Sequence, residues 1–278
     1  MKITLIPNKN KSETAALAQA VADRLTAAGA QVSVPDYAAP LPDAAGLCAV
    51  LADTDIVVAV GGDGTIVHVA KAAAAVGCPV LGINGGHVGF LAGLEADELD
   101  ALPALLCGEY TVDERALLAV TVHTDGEEIT RYAMNEVVIS RGGLSRLADV
   151  MVTADGGEVL SCRGDGVIIA TPTGSTAYSL SAGGPVVDPS VDCLLLTPVC
   201  PHSLDSRPRI WPANVTLTAT ATAADGEPAY VTVDGEESLS LPANDAVIIR
   251  RAAKAVRLLQ LRRDSFYERL RRKLTDRR

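Results

Sequence analysis

Residues Gly61-Gly62-Asp63-Gly64-Thr65 set glycines on both sides of one carboxylate, directly after the apolar run Ile56-Val57-Val58-Ala59-Val60. Glycine has no Cβ to hold a ligand away, so backbone N–H groups in such a turn can approach a phosphate. A helix running on from Ile66 would add its positive end. A carboxylate there repels phosphates, which makes sense if Asp63 also takes a proton from an attacking hydroxyl or binds a metal. The plainer alternative is a tight glycine turn. Phosphate binding is favoured because neither a Walker A loop nor a spaced G-x-G-x-x-G occurs elsewhere in the chain.

Three further groups carry polar chemistry. A second glycine-rich loop, Gly82-Ile83-Asn84-Gly85-Gly86-His87-Val88-Gly89-Phe90-Leu91, follows the next strand and would wall the same pocket from beside the first. His68 and His87 can contact phosphates there, although a histidine on a helix or in a loop is more often structural. Phe90, one of two phenylalanines, either fills the core or stacks on a nucleotide. In the second half, Arg163-Gly164-Asp165-Gly166 leads into a strand at 167–170. Thr171-Pro172-Thr173-Gly174-Ser175-Thr176-Ala177-Tyr178-Ser179 follows, in which six of nine residues carry a hydroxyl. Pro172 and Gly174 fix a turn there, and the hydroxyls either face a polar ligand or cap a helix at 176–182. Asn135-Glu136 falls inside an apolar strand from Ala133 to Ile139, where packing alone would favour valine. A buried amide and carboxylate need partners, and a ligand would supply them.

The elements that position these groups follow from periodicity. Strands are expected at 3–6, 32–34, 56–60 and 80–83, with helices at 13–28 and 66–76, a parallel α/β pattern. The run 56–60 is apolar throughout, as in a strand covered on both faces, and ligands in such sheets bind where strands end. A helical stretch at 95–106 closes this half. After Tyr110 short alternating segments take over, with Asp-Gly pairs at 125–126, 155–156, 225–226 and 234–235 as hairpin turns. The expected division is an α/β domain at 1–108, an all-β, sandwich-like domain at 109–254, and a last strand and basic helix at 255–278. In that helix Phe266, Leu270 and Leu274 form an apolar stripe behind an Asp264/Ser265 cap, so it should dock on the first domain.

Composition narrows the classes. With 48% apolar residues the 278-residue chain can bury a large core, and no apolar stretch reaches the ~18 residues of a membrane span, so a soluble, cytoplasmic protein is expected. Six cysteines without a C-x-x-C pair, and only four histidines, show no zinc spacing. The formal charge is −10, but residues 250–278 hold twelve of the 24 basic side chains against three acids. The rest of the chain is strongly acidic and would repel nucleic acid, and the basic tail should neutralise its own domain.

The Gly61–Thr65 turn, the Gly82–Leu91 loop, Asn135-Glu136, and Gly164-Asp165-Gly166 through Thr171–Tyr178 resemble, in this order and spacing, the NAD kinase family, over roughly residues 1–274. The Gly-Gly-Asp-Gly turn alone is shared with diacylglycerol kinases, sphingosine kinases and phosphofructokinases; the Asn-Glu pair and the Thr-Pro-Thr-Gly-Ser-Thr-Ala-Tyr segment are far more specific. The resemblance implies transfer of the terminal phosphate of ATP to the adenosine-ribose 2′-hydroxyl of NAD, with a divalent metal, magnesium, on the ATP, and an NAD site in a cleft between the domains. It casts Asp63 as general base with Gly64 beside the same sugar. Asn135, Glu136 and Asp165 would hold the dinucleotide, and Thr176, Ala177, Tyr178, Ser179, Leu180 and Ser181 would line its adenine and ribose pocket. Gly62, Thr65, His68, Phe90, Thr173, Arg146 and Arg163 complete the implied nucleotide-binding set. His68 and Gly85-Gly86-His87 depart from bulkier or differently charged residues in relatives, which leaves the donor contacts, and the choice of ATP or polyphosphate, open. A homodimer or homotetramer is implied. The competing readings are a lipid or sugar kinase of the same superfamily and an NAD sensor without turnover.

Overall fold

A computed structural model describes residues 1–10, 12–37, 41–85, 89–124, 126–142, 147–203, 205–223, 227–236, 238–243, 245–262 and 264–275. The chain divides into two compact units, one formed by residues 1–115 and 254–278, the other by residues 116–253.

The first unit begins β1 (Lys2–Pro7), α1 (Ser12–Ala27), β2 (Gln31–Ser33), α2 (Ala44–Leu51), β3 (Ile56–Gly61), α3 (Asp63–Val76), β4 (Val80–Asn84) and β5 (Leu94–Glu95). A 3-10 turn at Leu99–Ala101 and a short helix α4 (Pro103–Leu106) follow. β2, β1, β3 and β4 pair in that order, all parallel, and β5 adds to the far edge of β4. Every residue of β3 is buried. Val58 and Val60 join a core with Ile3, Leu5, Val21 and Leu25, and the alternate residues Val57 and Ala59 are equally buried on the other face.

Three local expectations change. Periodicity gives no sign of α2, whose Asp43 accepts the Gly46 N–H as an N-cap in a stretch rich in alanine and proline. The helix expected at 95–106 is broken, because Pro103 lacks the N–H that would bond back to residue 99 and so opens a new helix. Most important for the site, α3 starts at Asp63, with Gly62 as N-cap, and not at Ile66.

The second unit contains most of β6 (Thr111–Thr124), then β7 (Glu127–Ala133), β8 (Glu136–Ser140), β9 (Ala148–Ala154), β10 (Gly157–Gly164) and β11 (Gly166–Ala170). After a 3-10 turn at Thr173–Thr176 come α5 (Tyr178–Ser181), β12 (Cys193–Val199), β13 (Arg209–Pro212), β14 (Leu217–Ala223), β15 (Ala229–Val233), β16 (Leu239–Leu241) and the start of β17 (Ala246–Gln260). One antiparallel sheet runs β10-β9-β14-β17 and a second runs β13-β12-β11-β8-β15-β16. Val150, Val152, Ala219 and Val247 of the first share one core with Val137, Ile139, Val167, Ile169 and Val231 of the second, so the unit is a β-sandwich. Both residues of Asp155-Gly156 and of Asp234-Gly235 have positive φ, the hairpin-turn geometry expected at those pairs. The turns at Asp125-Gly126 and Asp225-Gly226 lie wholly or partly outside the described residues.

β17 ends in the first unit, where Leu258 pairs parallel with Val80 on β4. It leads into α6 (Phe266–Thr275), which sits on that unit as expected. Ser265 and Glu268 form a capping box: the Ser265 hydroxyl accepts the Glu268 N–H at 3.3 Å, and Glu268 Oε2 accepts the Ser265 N–H at 2.7 Å. Arg262 makes ion pairs to Glu95 (2.9 Å), Glu98 (3.2 Å) and Asp264 (2.8 Å), fixing the turn into the helix. The contact with the unit is not an apolar stripe alone: Arg269 is buried and donates to Gln260. The side chain of Leu274 lies outside the described set. No helix among the described residues is long and apolar enough to cross a membrane.

Candidate active site

Starting α3 at Asp63 makes this carboxylate its first residue, where free backbone N–H groups and the helix dipole favour negative charge. The first-turn N–H groups of a helix are also where a phosphate binds. Gly62 and Gly64 would meet nothing within 4 Å if they carried a Cβ, so packing does not demand glycine at either. The space before them belongs to an opening of about 360 Å³ lined by Asn8, Leu41, Gly62, Gly64 and Thr65. Gly61 differs, since a Cβ there would strike the Thr65 side chain. Thr65 is buried, and its hydroxyl accepts from Asn8 Nδ2 at 2.9 Å, tying the end of β1 to the glycine turn.

The Asp63 carboxylate is anchored from two directions. The backbone N–H of Phe90 donates to both oxygens, at 3.1 and 3.0 Å, and that of Leu91 donates to Oδ1 at 3.2 Å. Lys273 Nζ, from α6, lies 3.2 Å from Oδ2. The side chain of Asp63 nonetheless keeps 29% of its surface exposed, so a substrate hydroxyl can reach it. Phe90 is buried between Lys273, whose Nζ stands 4.2 Å above its ring, and Phe266, with centroids 6.2 Å apart. His68 Nε2 lies 2.7 Å from the Pro42 carbonyl oxygen, and His87 is outside the described residues.

In the second unit, Asn135 lies between strands and Glu136 opens one. The run expected from Ala133 to Ile139 breaks at Met134-Asn135, and β8 starts at Glu136. The physical reason is Asp234, whose carboxylate accepts the N–H groups of Met134 (2.8 Å), Asn135 (2.8 Å) and Glu136 (3.0 Å) and so takes the place of a neighbouring strand. From the other side Thr171 donates its N–H to the Asn135 carbonyl (2.9 Å) and its hydroxyl to that of Met134 (2.6 Å). A Cβ on Gly174 would come within 2.6 Å of the Asn135 carbonyl carbon, so only glycine lets the hydroxyl-rich turn lie this close. Glu136 is 7% exposed, and Oε2 has no partner within the protein. Burial, reinforced by the Asp234 carboxylate and opposed by the Tyr178 backbone N–H, pushes its pKa up to about 7.

Many hydroxyls of the 171–179 segment face inward. Ser175 exchanges hydrogen bonds with the backbone of Val187, Ser179 bonds Thr197 at 2.9 Å, and Thr176 donates to the Thr173 carbonyl. A helix expected at 176–182 is instead the 3-10 turn followed by α5, joined at Ala177 with φ −100 and ψ −130. Tyr178 and Ser181 are exposed beyond that kink, Ala177 and Leu180 half-buried. Tyr178 and Asp165 come together with Val138, Ser140, Arg141, Gly142 and Val199 around a cavity of about 230 Å³. Arg141 Nε donates to Asp165 at 2.7 Å and, as the largest influence, holds that carboxyl below its usual range. Arg163 stands exposed on β10, 3.9 Å from Asp149 and away from this lining. Arg146 lies outside the described residues.

Sequence reasoning missed Asp234, Arg141 and Lys273. Asp234 carried a signal only as half of a hairpin turn; the other two were ordinary basic residues next to a strand and in a charged tail.

A glycine-flanked carboxylate opening a helix at the end of an interior strand of a parallel sheet, in a chain that continues into a β-sandwich, defines a phosphotransferase of the Gly-Gly-Asp-Gly type. The ATP-NAD kinase N-terminal domain model matches residues 3–110, and the ATP-NAD kinase C-terminal domain model matches residues 134–261. Similar curated proteins include the NAD kinases of Symbiobacterium thermophilum, 41% identical over 99% of both chains, and of Geobacter sulfurreducens, 42% identical over 79% of this chain and 78% of the relative. The fold is shared with a crystal structure of an NAD kinase from Archaeoglobus fulgidus in complex with ATP (TM-score 0.78, 24% identity, 99% of both chains). It is also shared with yeast NADH kinase complexed with NADH (TM-score 0.85, 24% identity, 99% of this chain and 87% of that one). The chain belongs to the NAD kinase family.

Proposed function

We propose that the chain makes NADP by moving the terminal phosphate of magnesium-ATP to the adenosine-ribose 2′-hydroxyl of NAD, with Asp63 as the general base. The observation that carries this is the Asp63 carboxylate, fixed by the Phe90 and Leu91 N–H groups yet still exposed beside the open glycine turn. The hydroxyl proton passes to Asp63. The bond from the 2′-oxygen to the γ-phosphorus forms while that to the β,γ-bridging oxygen breaks, and ADP leaves. A secondary hydroxyl is a poor nucleophile at neutral pH, so a carboxylate within hydrogen-bond reach contributes roughly 10²–10⁴-fold.

Gly62, Gly64, Thr65, His68 and Phe90 serve the donor and acceptor phosphates and sugar around that turn. Asn135, Glu136, Asp165, Thr173 and Thr176 through Ser181 bind the dinucleotide; Arg163, exposed on β10 away from Asp165 and Tyr178, is left out of that set. The unpartnered Oε2 of Glu136 supports this part of the reading, since a ribose hydroxyl would satisfy it. Magnesium would be held by ATP oxygens and would supply charge that offsets the repulsion between the donor phosphates and Asp63, which stays free to accept the proton. The ATP and NADH bound by the two structural relatives support the same pair of ligands here. The enzyme works in the cytoplasm as a homo-oligomer.

NADP formation from NAD, read through a glucose-6-phosphate dehydrogenase couple, tests the proposal. Asp63→Asn should lower kcat by at least ~10²-fold while calorimetry still shows NAD binding. Activity that persists in the variant would remove the general-base role. A folded wild type that binds NAD without turnover would make the protein a sensor. A parallel reaction with polyphosphate decides the donor.

A further inference from the structure

We propose that Lys273 is a positioning residue for Asp63, so that α6 is part of the working site and not only a structural tail. The inference rests on the reading of Asp63 as the proton acceptor.

Three observations converge on it. Lys273 Nζ lies 3.2 Å from Asp63 Oδ2, although 210 residues separate the two in the chain. The same ammonium stands 4.2 Å over the Phe90 ring, and the Phe90 backbone N–H holds both Asp63 oxygens. Phe266, seven residues before Lys273 and so on the same helical face, closes the other approach to Phe90 with its ring 6.2 Å away. The carboxylate, the aromatic loop and the helix thus form one assembly. The helix is held at its start by the Ser265–Glu268 capping box, by the Arg262 ion pairs and by an Arg272–Asp264 ion pair.

The physical need is clear from the charges. Asp63 and the donor phosphates are both negative and share the first turn of α3. A cation beside Oδ2 of Asp63 offsets part of that repulsion, and with the Phe90 and Leu91 N–H groups it fixes the plane of the carboxylate. Lys273 is itself only 22% exposed, so solvent screens the pair less than an open surface pair.

Lys273→Met should lower kcat at least ~10-fold with the NAD dissociation constant and the melting temperature nearly unchanged, and Lys273→Arg should recover most of the loss. Rates at high enzyme concentration for Asp63→Asn alone and combined with Lys273→Met complete a double-mutant cycle. If Lys273 acts through Asp63, the combined variant is no slower than Asp63→Asn. Full or raised kcat in Lys273→Met, with Asp63→Asn inactive, overturns the positioning role and leaves the base intact; losses that multiply overturn it too. Unchanged activity in Asp63→Asn instead overturns the base reading on which this one rests. Should Lys273→Met fold poorly, Lys273→Gln, which keeps the length and polarity without the charge, carries the same comparison.

Discussion

Gly89 lies so close to Asp63 that a Cβ at this position would stand 3.0 Å from the carboxylate carbon and nearer still to Oδ1. The second glycine loop is therefore shaped to receive the carboxylate, and its next two N–H groups bind it. Gly89→Ala should push Asp63 off these donors. We expect kcat to fall ~100-fold, as for other misplacements of about 1 Å, while NAD binding by calorimetry changes little. Wild-type turnover in Gly89→Ala would show that Asp63 need not hold this orientation.

Glu136 predicts a pH dependence. Its pKa is raised from 4.5 to about 7 chiefly by burial, so the folded state holds the proton more tightly than the unfolded chain. That contribution is fully present below 4.5 and is lost as pH rises through 7. Glu136→Gln removes the ionisation and should be the more stable protein at pH 8, by up to ~3 kcal/mol, with the gap closing towards pH 4.5. Urea unfolding at both ends of the range measures this. NAD affinity should fall, since an amide cannot replace a carboxylate that accepts from a ribose hydroxyl.

Asp234 holds three consecutive N–H groups from a backbone with φ 49, which few side chains tolerate. Asp234→Ala leaves those donors without an acceptor and should cost ~3 kcal/mol or more, seen as a lower urea midpoint. Asp234→Asn keeps the shape and the tolerance of positive φ, and should cost about half as much. If both variants weaken NAD binding in proportion to their lost stability, the Asn135-Glu136 turn is set by Asp234 alone.

Ser265→Ala removes one side of the capping box and should destabilise α6 by about 1 kcal/mol. Amide hydrogen exchange across 266–275 should quicken while β3 and β4 stay protected, which locates the effect in the helix.

Much of the fold was legible. The apolar run of β3, the periodicity of α1 and the hairpin pairs at Asp155-Gly156 and Asp234-Gly235 report local backbone preference and burial, and these act over a few residues. The expected start of α3 falls three residues late because Asp63, Gly64 and Thr65 are poor helix formers whose position is set by the turn before them. The Asn135-Glu136 pair is recognisable in sequence as out of place in a strand, but not as the point where the strand ends.

What the sequence determined by itself was the presence of a phosphate-binding carboxylate turn, an amide-carboxylate pair and a hydroxyl-rich turn, because each is a short run whose composition carries its chemistry. Only tertiary structure decided their partners. Asp63 meets Lys273 across 210 residues and Asn135 meets Asp234 across 99. Such pairings depend on how strands and helices are laid beside one another, and a lysine in a basic tail or an aspartate in a turn looks the same in sequence whichever side chain or backbone it finally meets.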